Sequence, residues 1–279
     1  MKLCANVPGD SSQKIAALRR LGLWGTGLGV DLHWSAPEAR RQVEPFRAAG
    51  IAVVQVGCYR NLVATDESVR AAAIRDVGQA MELAGEMGVP AVICGGGHRH
   101  PDHAAAVFAV HPDTWSDRAI DVLVESCREI AATVSALAAT LCLEPWAITT
   151  LDSPARLEEV MRRVDHPKVA VELDPVNMMT IDRYADTAGF LTECFDRLGE
   201  KIRLVHAKDT LLKPEPFTYH MSEAAPGEGV LDFRTLLELM QRLPADTPLL
   251  IEHLSDEGTI ARARDYIAGE ASRLGFVLT

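Results

Sequence analysis

Short apolar runs rich in Val, Ile, Leu and Cys alternate along the whole chain with longer segments whose apolar residues recur every three or four positions. The first pattern is that of a buried strand and the second that of a helix with one apolar face. Eight runs read as strands, near Leu3–Val7, Gly29–Trp34, Ile51–Gly57, Ala91–Cys94, Thr140–Pro145, Lys168–Asp174, Ile202–Ala207 and Leu249–His253. Helices are expected near residues 11–21, 37–49, 67–88, 116–138, 154–164, 183–199, 232–243 and 257–274. The boundary residues agree with this alternation. Ser153-Pro154 and Pro37-Glu38 open helices with proline in the first turn, where its missing N–H costs nothing. Gly50, Gly88 and Gly199 each stand between a helix and a strand, as left-handed helix terminators do.

Consecutive βα units feed a parallel sheet, and eight of them close into a (β/α)8 TIM barrel more naturally than they fill an open one. The 279 residues suit a single barrel domain spanning 1–279, and no Gly-, Ser- or Pro-rich linker divides them. Long connections at 95–115 and 208–231 each follow a strand, which places them on the C-terminal rim where such barrels keep their active sites.

Composition narrows the picture. With 48% hydrophobic and 24% charged residues the chain reads as soluble and globular. No run approaches the roughly 18 apolar residues of a membrane helix, and the polar start does not suit a signal peptide, so a cytoplasmic protein without a membrane partner is expected. The net charge of −11 disfavours a nucleic-acid partner. Six scattered cysteines, none in a C-x-x-C pair, read as buried thiols.

Four successive strands end in a residue able to bind a metal: Glu144, Asp174, His206 and Glu252. The spacings are 30, 32 and 46 residues, one βα unit apiece with the last lengthened by its loop. In a barrel, neighbouring strand ends surround one mouth, so these side chains can converge on one ion. Three carboxylates and an imidazole form an oxygen-rich set that suits Mn²⁺ first, then Mg²⁺, with Co²⁺ and Zn²⁺ as alternatives.

The segments Leu-Glu-Pro, Glu-Leu-Asp-Pro-Val-Asn, Val-His-Ala-Lys-Asp, Pro-Gly-Glu-Gly-Val-Leu-Asp-Phe and Ile-Glu-His resemble those of the sugar phosphate isomerase/epimerase family, the xylose isomerase-like barrels. The resemblance is sharpest from Leu141 onward. It implies that Glu144, Asp174, His206 and Glu252 are metal ligands and that Glu144 and Glu252 are also the catalytic acid and base. It implies a small sugar or polyol substrate, phosphorylated or not, and leaves a homo-oligomer open. A sugar bound through carbonyl and adjacent hydroxyl oxygens would lose the intervening proton to one glutamate, giving an enediolate. Return of a proton then decides between epimerisation and aldose–ketose isomerisation.

Further candidates surround this set. Lys208 shares the strand parity of His206 and is expected to hold a substrate oxygen or phosphate. Asn177 matches a substrate-contacting position of the family in which several relatives carry histidine. The run Gly95-Gly96-Gly97-His98-Arg99-His100-Pro101-Asp102-His103 offers close backbone approach and three imidazoles, with His98 nearest the strand end. His33, with Trp34, would form a pocket wall at the end of strand two. Glu172 shares the inward parity of Asp174 and, as a buried carboxylate, would need a partner. Pro226-Gly227-Glu228-Gly229 would form a turn or lid over the mouth. Competing readings are a keto-sugar or inosose lyase using the same enediolate, an apurinic endonuclease-like hydrolase, and a barrel that binds a sugar without turning it over.

Overall fold

The computed structural model describes residues 1–102, 110–213 and 218–278. Its elements run β1 (Lys2–Ala5), α1 (Ser11–Leu21), β2 (Gly25–Gly29), α2 (Ala36–Ala48), β3 (Ala52–Gly57), α3 (Glu67–Met87), β4 (Ala91–Gly95), α4 (Asp117–Thr133) and β5 (Thr140–Glu144). There follow α5 (Pro154–Val164), β6 (Val169–Leu173), α6 (Ile181–Ala185), α7 (Thr187–Leu198), β7 (Ile202–Ala207), β8 (Asp209–Lys213), β9 (His220–Ala224), α8 (Phe233–Met240), β10 (Pro248–Ile251) and α9 (Glu257–Arg273). Eight parallel strands close a barrel in the order β1-β10-β7-β6-β5-β4-β3-β2, with β8 and β9 as a separate antiparallel pair. Among the described residues no helix is long and apolar enough to cross a membrane.

Strand alternation divides the side chains into two populations. Leu141, Leu143, Val169, Val171, Leu173, Val205, Leu249 and Ile251 join the large core between sheet and helices. The alternate residues Cys142, Ala170 and Leu204 pack with Ala91 and Ile93, and Leu250 packs with Cys4 and Val54, in separate small clusters. Continued along each strand, this second parity reaches Glu144, Asp174, His206 and Glu252. The six cysteines are all buried and free. Burial pushes the thiols of Cys4, Cys94 and Cys142 up to about 12, which keeps them protonated packing groups.

Three elements depart from the sequence expectation. The second strand lies at Gly25–Gly29 instead of Gly29–Trp34. Its Gly-Thr-Gly-Leu-Gly sequence lacks an apolar run because the backbone itself packs closely: a Cβ on Gly27 would stand 2.7 Å from Asn6 Oδ1. The helix expected at 183–199 is two, because Asp186 leaves helical geometry and caps α7 through Gly189 N–H. The connection 208–231 contains the β8–β9 hairpin, with Asp209 opposite Ala224 and Lys213 opposite His220.

The base of this hairpin is tied down by one buried carboxylate. Asp209 accepts backbone N–H groups from Thr210 (2.8 Å), Gly227 (3.0 Å), Gly229 (3.0 Å) and Leu231 (2.8 Å). Asp209→Ala removes all four acceptor contacts and should lower the unfolding free energy by about 3 kcal/mol or more, since each buried amide left unpaired costs about 1–3 kcal/mol. Urea unfolding measures this, and a loss below about 1 kcal/mol would mean that water replaces the carboxylate freely.

Candidate metal centre at the barrel mouth

Glu144 is the last residue of β5, Asp174 and Glu252 immediately follow β6 and β10, and His206 lies near the end of β7. The ladder pairs Leu250 with His206 and Glu172 with Leu204, so equivalent positions on adjacent strands come level at the mouth. The potential ligand atoms of Glu144, Asp174, His206 and Glu252 all lie within 4.8 Å of one another. All four residues are buried.

The imidazole is aimed by a residue from across the barrel. His206 Nε2 lies 3.0 Å from Gln55 Oε1, so Nε2–H donates to the amide and Nδ1 turns to the acids. From Nδ1 the nearest oxygens are Glu252 at 3.0 Å, Glu172 at 3.2 Å, Asp174 at 3.6 Å and Glu144 at 3.7 Å. His206 Nδ1, Asp174 Oδ2 and Glu252 Oε1 are nevertheless buried without a hydrogen bond of proper geometry. Converging buried donor atoms that make no hydrogen bond, two of them met by the Lys208 ammonium, are what a cation would satisfy, so the donor set fits a divalent metal.

Lys208 provides the permanent positive charge. Its ammonium stands 2.9 Å from Asp174 Oδ2 and 2.9 Å from Glu252 Oε1, and it donates to Glu223 Oε1 and Asn177 Oδ1, each at 3.1 Å. Burial would lower the Lys208 pKa, but Asp174, Glu252 and Glu223 outweigh it and raise the group above its usual range. Burial likewise opposes the charged form of His206, and the attraction of Glu172 and Glu252 overrides it. Burial would raise Glu252, yet His206 and Lys208 hold it well below the usual carboxylate range.

Glu144 has a different environment. Tyr59 Oη donates to its Oε2 at 2.6 Å, while Trp146 Nε1 and Asn177 Nδ2 donate to its Oε1 at 3.0 and 2.8 Å. Tyr59 and Trp146 stack with centroids 5.7 Å apart, forming an aromatic wall beside the acid. Burial and the charge of Glu144 push the Tyr59 phenol up, so it remains a neutral donor. On the opposite side His253 Nδ1 meets Glu223 Oε2 at 2.9 Å, with His253 in the left-handed region at φ 59°. Left-handed geometry at a histidine directly after Glu252 turns the chain sharply at the strand end.

The remaining expected residues separate. Asn177 joins the cluster, linking Glu144 to Lys208 and donating its backbone N–H to Asp174. Glu172 is fully buried, its two oxygens lack hydrogen-bond partners, and burial with the neighbouring carboxylates raises its pKa well above the usual range. Among the described residues, the partner that meets Glu172 is the His206 ring, whose Nδ1 lies 3.2 Å from its Oε1. His33 lies beyond β2 in an exposed turn, its N–H on Asp31 Oδ1, so the strand-end position that suggested a pocket wall does not exist. His98 is buried, with its backbone N–H and carbonyl both held by Asn61. The glycines before it make room for protein: a Cβ on Gly97 would stand 2.5 Å from Asn61 Oδ1. His103 lies outside the described residues. Gln55, Tyr59, Trp146, Glu223 and His253 were absent from the sequence-based set, and only Gln55, a polar residue within the apolar run Val53–Val56, left a local signal.

No curated protein matches the chain in sequence. Solved structures do share its fold. A xylose isomerase-like TIM barrel protein from Mycobacterium smegmatis in complex with magnesium is 17% identical, with a TM-score of 0.72 over 98% of this chain and 97% of that one. D-psicose 3-epimerase from Clostridium cellulolyticum H10 is 15% identical, with a TM-score of 0.71 over 99% and 100%. A 3-keto-D-glucoside 4-epimerase from E. coli is 17% identical, with a TM-score of 0.70 over 98% and 99%. Residues 15–273 match the profile of the xylose isomerase-like TIM barrels, and the chain belongs to that family.

Proposed function

We propose that this protein is a divalent-metal-dependent sugar isomerase or epimerase that moves a proton at a carbon next to a carbonyl. The observation that carries the reading is the convergence of four buried donors within 4.8 Å, three of them with an atom lacking a directed partner. Glu144, Asp174, His206 and Glu252 would hold the cation, which when bound supplies Lewis-acid polarisation of the sugar's carbonyl. The three carboxylates favour Mn²⁺ or Mg²⁺ over softer ions.

The two glutamates are equipped for opposite halves of a proton transfer. Glu252, in contact with the Lys208 ammonium, enters as the proton acceptor. Glu144 carries the Tyr59 phenol on Oε2, which places an exchangeable proton beside it on the other side of the mouth. Two acid–base groups on separate strands suit proton removal from one face and delivery to the other, which inverts a carbon. Delivery to the neighbouring carbon would isomerise instead. Lys208 and Asn177 orient both acids and would hold a substrate oxygen. The epimerase names of two structural neighbours support inversion as the first activity to test.

Glu144→Gln and Glu252→Gln should each slow substrate proton exchange by about 10²-fold or more while the fold persists, as general acid–base groups contribute about 10²–10⁴. Label uptake from deuterated water, measured beside circular dichroism, tests this; undiminished uptake in either variant removes that residue from the proposed pair. Mn²⁺ at about a hundred times its dissociation constant should add about 2.7 kcal/mol to stability. A melting temperature unmoved by Mn²⁺, Mg²⁺, Co²⁺ and Zn²⁺ would refute the metal centre.

A further inference from the structure

A sugar can enter such a mouth free or phosphorylated, and a phosphate monoester brings about −1.5 to −2 of charge. We infer that this site takes its sugar or polyol unphosphorylated, an inference resting on the isomerase or epimerase reading. Three observations lead to it.

The first is charge. Glu144, Glu172, Asp174, Glu223 and Glu252 gather at the mouth, and the lysine among them, Lys208, is already in contact with Asp174, Glu252, Glu223 and Asn177. A phosphate drawing on Lys208 would have to break these contacts.

The second is how the neighbouring guanidinium groups are used. Arg60 pairs with Asp76 at 2.6 Å, Arg99 donates to the Val63 carbonyl, and Arg156 donates to the carbonyls of Thr150 and Ser116. Arg183 donates to the carbonyls of Asp152 and Met178. Lys213 is exposed at the outer end of β8. Segments 103–109 and 214–217, outside the described residues, contain neither lysine nor arginine in sequence.

The third is that, the start of α5 apart, where Ser153 makes no side-chain cap, backbone amides of the rim already have acceptors within the chain. Barrels of this architecture often hold phosphate at the rim after the last two strands, on the amides of a helix start. Here the helix after β7 is capped by Asp232 on Thr235 N–H at 3.1 Å, and the helix after β10 by Asp256 on Thr259 N–H at 2.8 Å. The glycine turn after β9 offers the N–H groups of Gly227, Gly229 and Leu231, and Asp209 occupies all three. In the loop after β4, the N–H of His98 goes to Asn61, that of Arg99 to Thr114 and that of Asp102 to His100. A phosphate would have to displace a carboxylate or a formed hydrogen bond at each of these places.

The test uses the manganese-loaded full chain with D-fructose, D-psicose and D-tagatose, each paired with its 6-phosphate, in deuterated water. Label uptake is followed by proton NMR, with and without millimolar inorganic phosphate. We expect kcat/KM for uptake into a free ketose to exceed that of its 6-phosphate by at least about tenfold, with no inhibition by inorganic phosphate. Preference for a 6-phosphate, or competition by inorganic phosphate, overturns the inference while leaving the isomerase or epimerase reading intact. Uptake into neither member of any pair, in protein whose melting temperature responds to Mn²⁺, counts against that reading and takes the inference with it.

Discussion

Mutual repulsion among enclosed carboxylates governs this molecule's mouth. Glu144, Glu172, Asp174 and Glu252 are nearly inaccessible to water, and each lies within 3.7 Å of a single ring nitrogen. Isolated charges at such depth would neutralise or disperse. They stay together because barrel closure fixes the strand ends and because Lys208, His206 and the hydrogen bonds on Glu144 offset part of the charge. Three of the donors keep an atom without a hydrogen bond, and the set could hold a divalent cation.

The surrounding structure reads as the means of holding that arrangement still. Gln55 fixes the ring orientation of His206, Asn177 joins Glu144 to Lys208, and Glu223 on the hairpin braces Lys208 and His253 from above. The hairpin can do this because Asp209 secures its base to the following turn. A buried carboxylate bound to backbone amides thus supports a neighbouring cluster in which Glu172, Asp174 and Glu252 keep oxygens without a hydrogen bond. Hydrogen bonding is complete at Asp209 and incomplete at Glu172, Asp174 and Glu252.

Much of this was legible in the chain because one rule, alternation along a strand, controls both packing and chemistry. Glu144, Asp174, His206 and Glu252 terminate apolar runs, and an apolar run ending in a polar residue is a local signal. Where local pattern and tertiary role diverge, legibility fails. β2 is hidden because Gly25 and Gly27 trade side-chain packing for close backbone approach. Tyr59, Trp146, Glu223 and His253 reach the site from loops and a hairpin whose directions are set by closure, with no periodicity to announce them. His33 shows the reverse: an expected strand end assigned a direction to a side chain that stands in an exposed turn.

The environments of the two glutamates argue for a division of labour that donor count alone does not supply. Glu252 Oε1 lies 2.9 Å from the Lys208 ammonium, a setting that favours the ionised form. Glu144 is held at both oxygens by three neutral donors, one of them a phenol whose proton lies 2.6 Å away. The first setting suits a base and the second holds the carboxylate in place beside a phenol O–H. A pair of like residues with unlike surroundings is how one fold runs opposite steps at one pH. The asymmetry also separates the two acids in space, with Glu252 on the Lys208 side and Glu144 beside the aromatic wall of Tyr59 and Trp146.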